Sequence, residues 1–507
     1  MNIRSVLYVI ALTLLLFFGT WLRFDNLGQQ GLWDDELFSA NVVLRHPLLP
    51  EDGQPWLRRA SFSALHPGDT FWTVKGADQS PPLFELAAKL CVPVLGDGEA
   101  ALRTPSALPS ALVLVWLAAC AWRRRDAPDA AAWAALLALT ASSWLLVTYA
   151  QEARTYSLGA ALVLPLIVRF WQRVAHGWQQ AALPGKGEAL LGAAACLAHY
   201  NAAVLVALLW CAYGALAYQR RDMAAITRLA VAPLTLIVWL WVAHTGFRAG
   251  SKGHVGWIPH MNYGQSLALL GNELGAQALG WPATATLTAV CVLALCIRIA
   301  SRKNTSPSMQ MQGRALLALL ALAILMFALL SGIVMLSRIW HPRHLIFLLP
   351  VLYTVAAAAL ALLAVRWKAL ALVLAAVLLV VQLPALQHLP VRKQEDYRNA
   401  AARVMAHLHD GDILLLGAIA YSTQPLEYYA GARSGRTFRL RALGSVEEAA
   451  DTCLALEGER VGVIAPSMHL PALANILHVC NSRYEARDLS GHGVLAHVLT
   501  LRPQPAN

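Results

Sequence analysis

Apolar runs of about one bilayer thickness, separated by short polar connectors, fill most of the chain. They predict roughly eleven membrane spans, at about 6–24, 101–122, 131–149, 155–172, 188–200, 202–218, 226–245, 284–300, 314–336, 344–365 and 369–386. Within 188–218 two runs meet at His199-Tyr200-Asn201 without a loop. The first run continues through Trp21 with no small-residue cleavage site, which predicts an uncleaved signal anchor. Between Asp25 and about Ala100 the chain is polar and broken by Pro and Gly. Its one apolar stretch, 82–96, is short for a crossing and reads as a re-entrant or interfacial helix.

Beyond about residue 386 the pattern changes. A helical stretch at 394–408 precedes apolar strands at Ile413–Leu416, Val461–Ala465 and Val494–Leu501. Ser445 is placed to cap a further helix running to Leu456, with Glu447 and Glu448 in its first turn. Two domains are expected: an all-α polytopic membrane domain over 1–386 with a large first external loop at 25–100, and a small α/β domain over 387–507. Cys453 and Cys480 are the only cysteines of the second domain and would be able to pair in an oxidising compartment.

Composition sharpens this picture. Of 507 residues, 58% are hydrophobic and 14% charged, far from the balance of a soluble protein. Mean hydropathy is +0.51. The net charge of +11 sits in short basic clusters between spans, such as Arg123-Arg124-Arg125 and Arg220-Arg221. That is how membrane orientation is written, so no nucleic-acid partner is expected. With the N-terminus cytoplasmic, every strong cluster between spans falls inside, and the C-terminal domain falls outside. Neither a P-loop nor a GxGxxG motif precedes a helix, which argues against a cytosolic nucleotide sugar as substrate.

In this orientation the outward junctions carry an unusual polar set: Asp34, Asp35 and Glu36 after the first span; Arg103 at the start of the second; Gln151, Glu152, Arg154 and Tyr156 between the third and fourth; His199 and Tyr200; and Arg338, His341, Arg343 and His344. Ionisable groups at membrane edges are costly unless paired or functional. Carboxylates are suited to take a proton from a hydroxyl, and guanidiniums to hold a phosphate. Plainer readings exist for each. The three acids fit a helix N-terminus, Glu152 and Arg154 a structural ion pair, His199 an ordinary interfacial histidine, and Asp410-Gly411-Asp412 a turn.

The ordered set Leu32-Trp33-Asp34-Asp35-Glu36, Gln79-Ser80-Pro81-Pro82-Leu83, Leu102-Arg103-Thr104-Pro105-Ser106, Tyr149-Ala150-Gln151-Glu152-Ala153-Arg154-Thr155-Tyr156, His199-Tyr200 and Pro342-Arg343-His344-Leu345 resembles bacterial family-39-type glycosyltransferases. These are relatives of protein O-mannosyltransferases and lipid A aminoarabinose transferases. The stretch Glu395–Ala401, with Gly411-Asp412 and Glu427-Tyr428-Tyr429, is similar to the C-terminal part of the bacterial members.

The resemblance implies a GT-C fold, a polyprenyl-phosphate sugar as donor and a metal-independent type of reaction, so no tightly bound cofactor is expected, although Asp34, Asp35, Glu36 and Glu152 could together make an oxygen site for a divalent metal. It also implies a catalytic acid in the first external loop, matched by Asp35, with Glu36 completing the pair and Asp34 one place away. Some relatives carry a base just before the Pro of the first loop; here that place is Ser80. The expected reaction is transfer to an extracytoplasmic lipid, glycan or protein with inversion. Arg343, Arg338, Arg154 and His344 would hold the donor phosphate. Glu152, Gln151, Tyr156, His199, Tyr200 and Arg103 would contact substrate. A lipid-linked-sugar flippase, and a polysaccharide polymerase or ligase, are the competing classes. The expected home is the bacterial inner membrane.

Overall fold

The computed structural model describes residues 3–50, 57, 66, 68–249, 261–301, 306–337, 342–389, 395–419, 423–430, 436–443, 456, 460–481 and 483–502. Chain contacts divide the protein into two units. The first comprises Met1–Asp25, Lys75–Ala87 and Arg103–Pro390; the second comprises Asn26–Val74, Ala88–Leu102 and Val391–Asn507. The polar loop at 25–100 therefore does not stay whole: most of it clusters with the C-terminal segment.

The first unit is a helical bundle of the membrane type. Ten of the eleven apolar runs each contain one α-helix, and the run at 131–149 contains two. Among the described residues, eight helices are each long and apolar enough to cross a membrane, from Ser5–Phe24 to Lys368–Gln387. Two more, Lys186–Ala198 and Leu349–Ala364, have 13 and 16 residues. The run at 131–149 is broken into Ala130–Ala141 and Trp144–Ala150, bent by 51°. The segment at 82–96 forms helix Leu83–Leu95, 13 residues long, or about 20 Å.

The break has identifiable causes. Ser142 Oγ donates back to the Ala138 carbonyl at 2.8 Å, and Ser143 caps the following half-helix. The carbonyls freed at the end of Ala130–Ala141 need donors in a medium without water. Arg23, fully buried in the first span, donates to Thr140 O at 2.9 Å and Ala141 O at 3.2 Å, and to Ser110 Oγ at 2.7 Å. Gln382 Nε2 reaches Leu139 O at 2.8 Å, and Tyr353 Oη reaches Ser143 Oγ at 2.9 Å. Arg23 has no carboxylate partner among the described residues; the negative end of a half-helix takes that place.

The second unit contains a five-stranded mixed sheet. Its strands are β1 (Ile413–Leu416), β2 (Arg439–Ala442), β3 (Arg460–Pro466), β4 (Tyr484–Asp488) and β5 (Val494–Leu501), in the order β2-β1-β3-β5-β4. β1 pairs in parallel with β2 and β3, while β5 is antiparallel to β3 and β4. Ile413, Leu415, Val461, Val463 and Leu499 build the core, closed by Leu473 and Ile476 of helix Leu470–Cys480. Helix Tyr397–Met405 matches the expected stretch at 394–408. Ser445, Glu447, Glu448 and Cys453 lie outside the described residues. Cys480 is disulfide-bonded, and the other six described cysteines are free.

Candidate active site

In the first unit, the residues expected at three separate junctions converge. Trp144–Ala150 ends at Gln151, and the chain turns through Glu152 and Ala153 before Arg154 opens helix Thr155–Ala175. Thr155 Oγ1 donates to the Ala198 carbonyl, fastening this turn to the end of helix Lys186–Ala198. His199 closes that helix and caps the next, Tyr200–Gln219. The missing loop at 188–218 is thus a one-residue corner, with His199 in extended conformation between two helices.

Around this corner the aromatic rings group closely. The Tyr156 and His199 centroids are 5.2 Å apart, His199 and His344 6.0 Å, and Tyr156 and His344 6.3 Å. The Arg343 guanidinium lies 5.2 Å from the Tyr156 ring centroid, at cation–π range. Gly159 makes the grouping feasible, because a Cβ there would come within 2.8 Å of Phe347 and 3.5 Å of the His199 Cβ. Phe347 in turn stacks 4.5 Å from the His199 ring.

His199 lies in the fields of His344, Arg154 and Arg343. Its Nδ1 accepts the Asn201 N–H at 3.1 Å, so the neutral ring carries its proton on Nε2. The corner therefore offers two guanidiniums and a neutral imidazole donor, a set suited to developing negative charge on a phosphate. Glu152 is almost completely buried beside them. Gln151 turns elsewhere: its amide donates to the Leu22 and Asp25 carbonyls at 2.6 and 3.1 Å, tying the end of the first span to this turn. Arg103 is buried on helix Glu99–Arg123. Arg338 and His341 lie outside the described residues.

One cluster in this unit was not read from the sequence. Lys75, fully buried, places Nζ 2.7 Å from Asp78, 3.2 Å from Glu85 and 2.5 Å from Ser80 Oγ. Ser80 also donates to Asp78. At the place where some relatives carry a base, an ammonium thus arrives from five residues upstream. Burial alone would raise the Asp78 pKa, but Lys75, Ser80 and the more distant Arg154 hold it below the usual range. Gln79 sits in the left-handed region at φ +68°, and its carbonyl accepts from Tyr200 Oη at 2.5 Å. Tyr200 accepts from Trp239 Nε1 at 3.0 Å, so its hydroxyl is engaged in holding this turn. The signal available was a single Lys in an apolar octapeptide, Phe71–Asp78, followed by an acid three residues on.

In the second unit, Asp34, Asp35 and Glu36 form the first turn of helix Asp34–Arg45, where acids complement the helix dipole. Successive side chains on a helix diverge by about 100°, so the three cannot point one way. Asp34 accepts from Tyr397 Oη. Glu36 is fully buried and accepts the Trp33 N–H at 3.4 Å, as a cap. Asp34 has its pKa raised to about 6, chiefly by burial, against the lowering effect of Tyr397, with Glu395 and Asp35 adding repulsion.

The C-terminal stretches singled out in the sequence are the fasteners of this loop. Besides Tyr397, Arg398 donates to the Gly28 carbonyl at 3.1 Å and lies 3.6 Å from Glu99. Tyr429 Oη accepts the Leu32 N–H at 2.5 Å and donates to Glu99 at 3.3 Å. Glu427 pairs with Arg45 at the far end of the acid-bearing helix. Gly31 allows the approach, since a Cβ there would stand 2.8 Å from the Arg398 Cβ. Asp410-Gly411-Asp412 is a turn with Gly411 at φ +86°, its carboxylates accepting the Thr437 and His409 N–H groups.

The polytopic helical unit, the acid-bearing loop and the small mixed sheet define a GT-C fold. Two solved structures of ArnT from Cupriavidus metallidurans share it. The apo form superposes with a TM-score of 0.51 at 16% identity, covering 98% of this chain and 99% of that one. The form bound to undecaprenyl phosphate gives 0.51 at 15% identity, covering 97% and 99%. No protein-family profile and no curated protein matches the sequence.

Proposed function

We propose that this chain is a glycosyltransferase of the bacterial inner membrane that moves a sugar from a polyprenyl-phosphate carrier to an extracytoplasmic acceptor. The observation carrying this reading is the corner at His199. Arg154, Arg343 and a neutral His199 gather there around Tyr156, in a fold that ArnT uses in a structure bound to undecaprenyl phosphate.

In the proposed reaction an acceptor hydroxyl attacks the anomeric carbon while Asp35 takes its proton. The bond from that carbon to the carrier phosphate oxygen breaks through an oxocarbenium-like state, and the configuration inverts. The leaving group is polyprenyl phosphate, which gains charge as it departs. Arg154 and Arg343, with His344 and the His199 N–H, are assigned to that charge. Asp35 stands where the resemblance expects the catalytic acid, while Asp34 and Glu36 accept from Tyr397 and Trp33 as parts of the helix start. Glu152 is assigned to sugar hydroxyls or to Arg154, and the phosphate role expected of Arg338 falls on a residue outside the described ones. Basic clusters between spans support a cytoplasmic N-terminus and an outward C-terminal unit.

The test compares envelope glycolipids and glycans by mass spectrometry in wild type, a deletion strain, and the deletion strain carrying Asp35→Asn. Both altered strains should lack the same sugar addition, a loss of at least about a hundredfold for the variant. Purified Asp35→Asn should still bind undecaprenyl phosphate. Normal glycosylation by Asp35→Asn would sink the base assignment, and lipid-linked sugar crossing vesicles without transfer would favour the flippase.

A further inference from the structure

A second polar site lies at the opposite end of the helices that build the His199 corner. Helix Thr155–Ala175 carries Tyr156 at its start; helix Lys186–Ala198 ends at His199; the two pack together. The connection between their other ends borders a cavity of about 450 Å³, lined by Arg169, Gln172, Arg173, His176 and Gln180.

The lining is cationic beyond its internal pairing. Arg173 is committed, with Glu188 at 2.7 Å and Tyr213 Oη at 3.0 Å. Arg169 has no carboxylate partner among the described residues; it donates only to Gln172 Oε1, at 3.3 Å. Arg220, likewise without a carboxylate, donates to the Gln179 and Ala181 carbonyls and so holds the connecting loop in place. Arg123, at the end of a neighbouring span, lies close enough to share an electrostatic field with Arg169 at Cys120.

Aromatic rings mark the depth. Trp178 lies 5.4 Å from Phe170 and 5.2 Å from Tyr213, edge-on and tilted, just past the last apolar turn of Thr155–Ala175. Trp and Tyr at a span end sit at the level of lipid headgroups. Membrane orientation explains the arginines as charge. It does not require them to line a cavity together with amide donors.

We propose that this cavity binds the phosphodiester headgroup of an anionic membrane lipid. Phosphate oxygens would meet Arg169 and, in the imidazolium form, the Nε2–H of His176, whose Nδ1 donates to the Gln172 carbonyl at 2.6 Å, with Gln172 and Gln180 offering amide N–H groups, while the acyl chains stay in the bilayer. A headgroup seated there would join the end of helix Thr155–Ala175, whose far end holds Tyr156, to the connection that follows it. The site is independent of which sugar or acceptor the protein uses.

The test uses the full chain in nanodiscs of phosphatidylglycerol or phosphatidylcholine, released into detergent for native mass spectrometry. Wild type should retain phosphatidylglycerol in preference to phosphatidylcholine. Arg169→Gln should weaken that retention about fivefold, and Arg169→Lys should keep it. Adding His176→Gln should weaken it further, with the unfolding midpoint in phosphatidylcholine discs unchanged; if that double variant unfolds, Arg169→Gln alone carries the reading. Equal retention of both lipids by wild type, or undiminished retention by Arg169→Gln, overturns the proposal. Displacement of the lipid by millimolar inorganic phosphate assigns the cavity to a free anion and overturns the lipid headgroup.

Discussion

Two arginines of the membrane unit and two acids of the second unit are supported by different means. In the membrane unit the arginines of interest lean on carbonyls and rings: Arg23 on the Thr140 and Ala141 carbonyls, Arg343 on the Tyr156 face. In the second unit, acids lean on phenols and an arginine: Asp34 on Tyr397, Glu99 on Tyr429 and Arg398. A guanidinium over a π face or against carbonyl dipoles carries a positive charge that an incoming phosphate can meet. A carboxylate hydrogen-bonded to a buried phenol is instead fixed in place. The contrast separates residues that present charge from residues that hold geometry, and Lys75 stands on the boundary. It is a membrane-unit cation already surrounded by Asp78 and Glu85.

The largest effect that contrast predicts is catalytic. If Arg343 presents its charge to the leaving phosphate, Arg343→Gln should lower turnover about a hundredfold to a thousandfold with the unfolding midpoint nearly unchanged. Arg154→Gln should do the same. Turnover within tenfold of wild type for both variants would place these guanidiniums outside the chemistry and leave the contrast without a functional half.

Lys75 should behave in the other way. Lys75→Met strands the buried Glu85 and the half-buried Asp78, and breaking a buried pair from one side costs about 3–5 kcal/mol. The measurement is thermal unfolding of the purified chain, with binding of undecaprenyl phosphate read alongside. A stable variant that has lost only lipid binding would move Lys75 into the group that presents charge. Because Asp78 is held below the usual carboxylate range, its share of stability exists above its unfolded pKa and fades as pH falls through the lower folded value.

What the sequence could reveal follows from the same contrast. Polar residues at span ends were legible because hydropathy makes them conspicuous: Arg154, Tyr156, His199, Arg343 and His344 were all found at junctions and meet at one corner. The strands at Ile413–Leu416 and Val494–Leu501 were legible from their apolar runs and appear with those ends. β2 was not, since Arg439–Ala442 has all four residues exposed and carries no apolar signature. The broken third span was hidden as well, because Ser142 and Ser143 barely dent an apolar average. Arg23 and Lys75 look like isolated charges until their partners arrive, some more than a hundred residues away for Arg23. The fasteners of the acid-bearing loop are harder still. Tyr397 and Asp34 are 363 residues apart, and nothing in either local pattern names the other.

The smallest predicted effect tests whether Asp34 belongs with the fasteners. Its folded pKa, about 6, lies above the usual carboxylate range, so the folded state binds the proton more tightly. The associated stability is fully present below the unfolded pKa and is lost as pH rises through about 6. Asp34→Asn keeps an acceptor for the Tyr397 hydroxyl and removes the charge. Relative to wild type, the variant should therefore gain on the order of 1–2 kcal/mol between pH 5 and pH 7.5, after allowance for partial exposure. The readout is the difference in unfolding midpoint between variant and wild type at the two pH values, so that other titrating groups cancel. Turnover should survive the substitution, unlike that of Asp35→Asn. A pH-independent difference would mean that burial does not control this carboxylate. A dead but stable Asp34→Asn would instead move the base one residue upstream and return Asp35 to the dipole-stabilising turn.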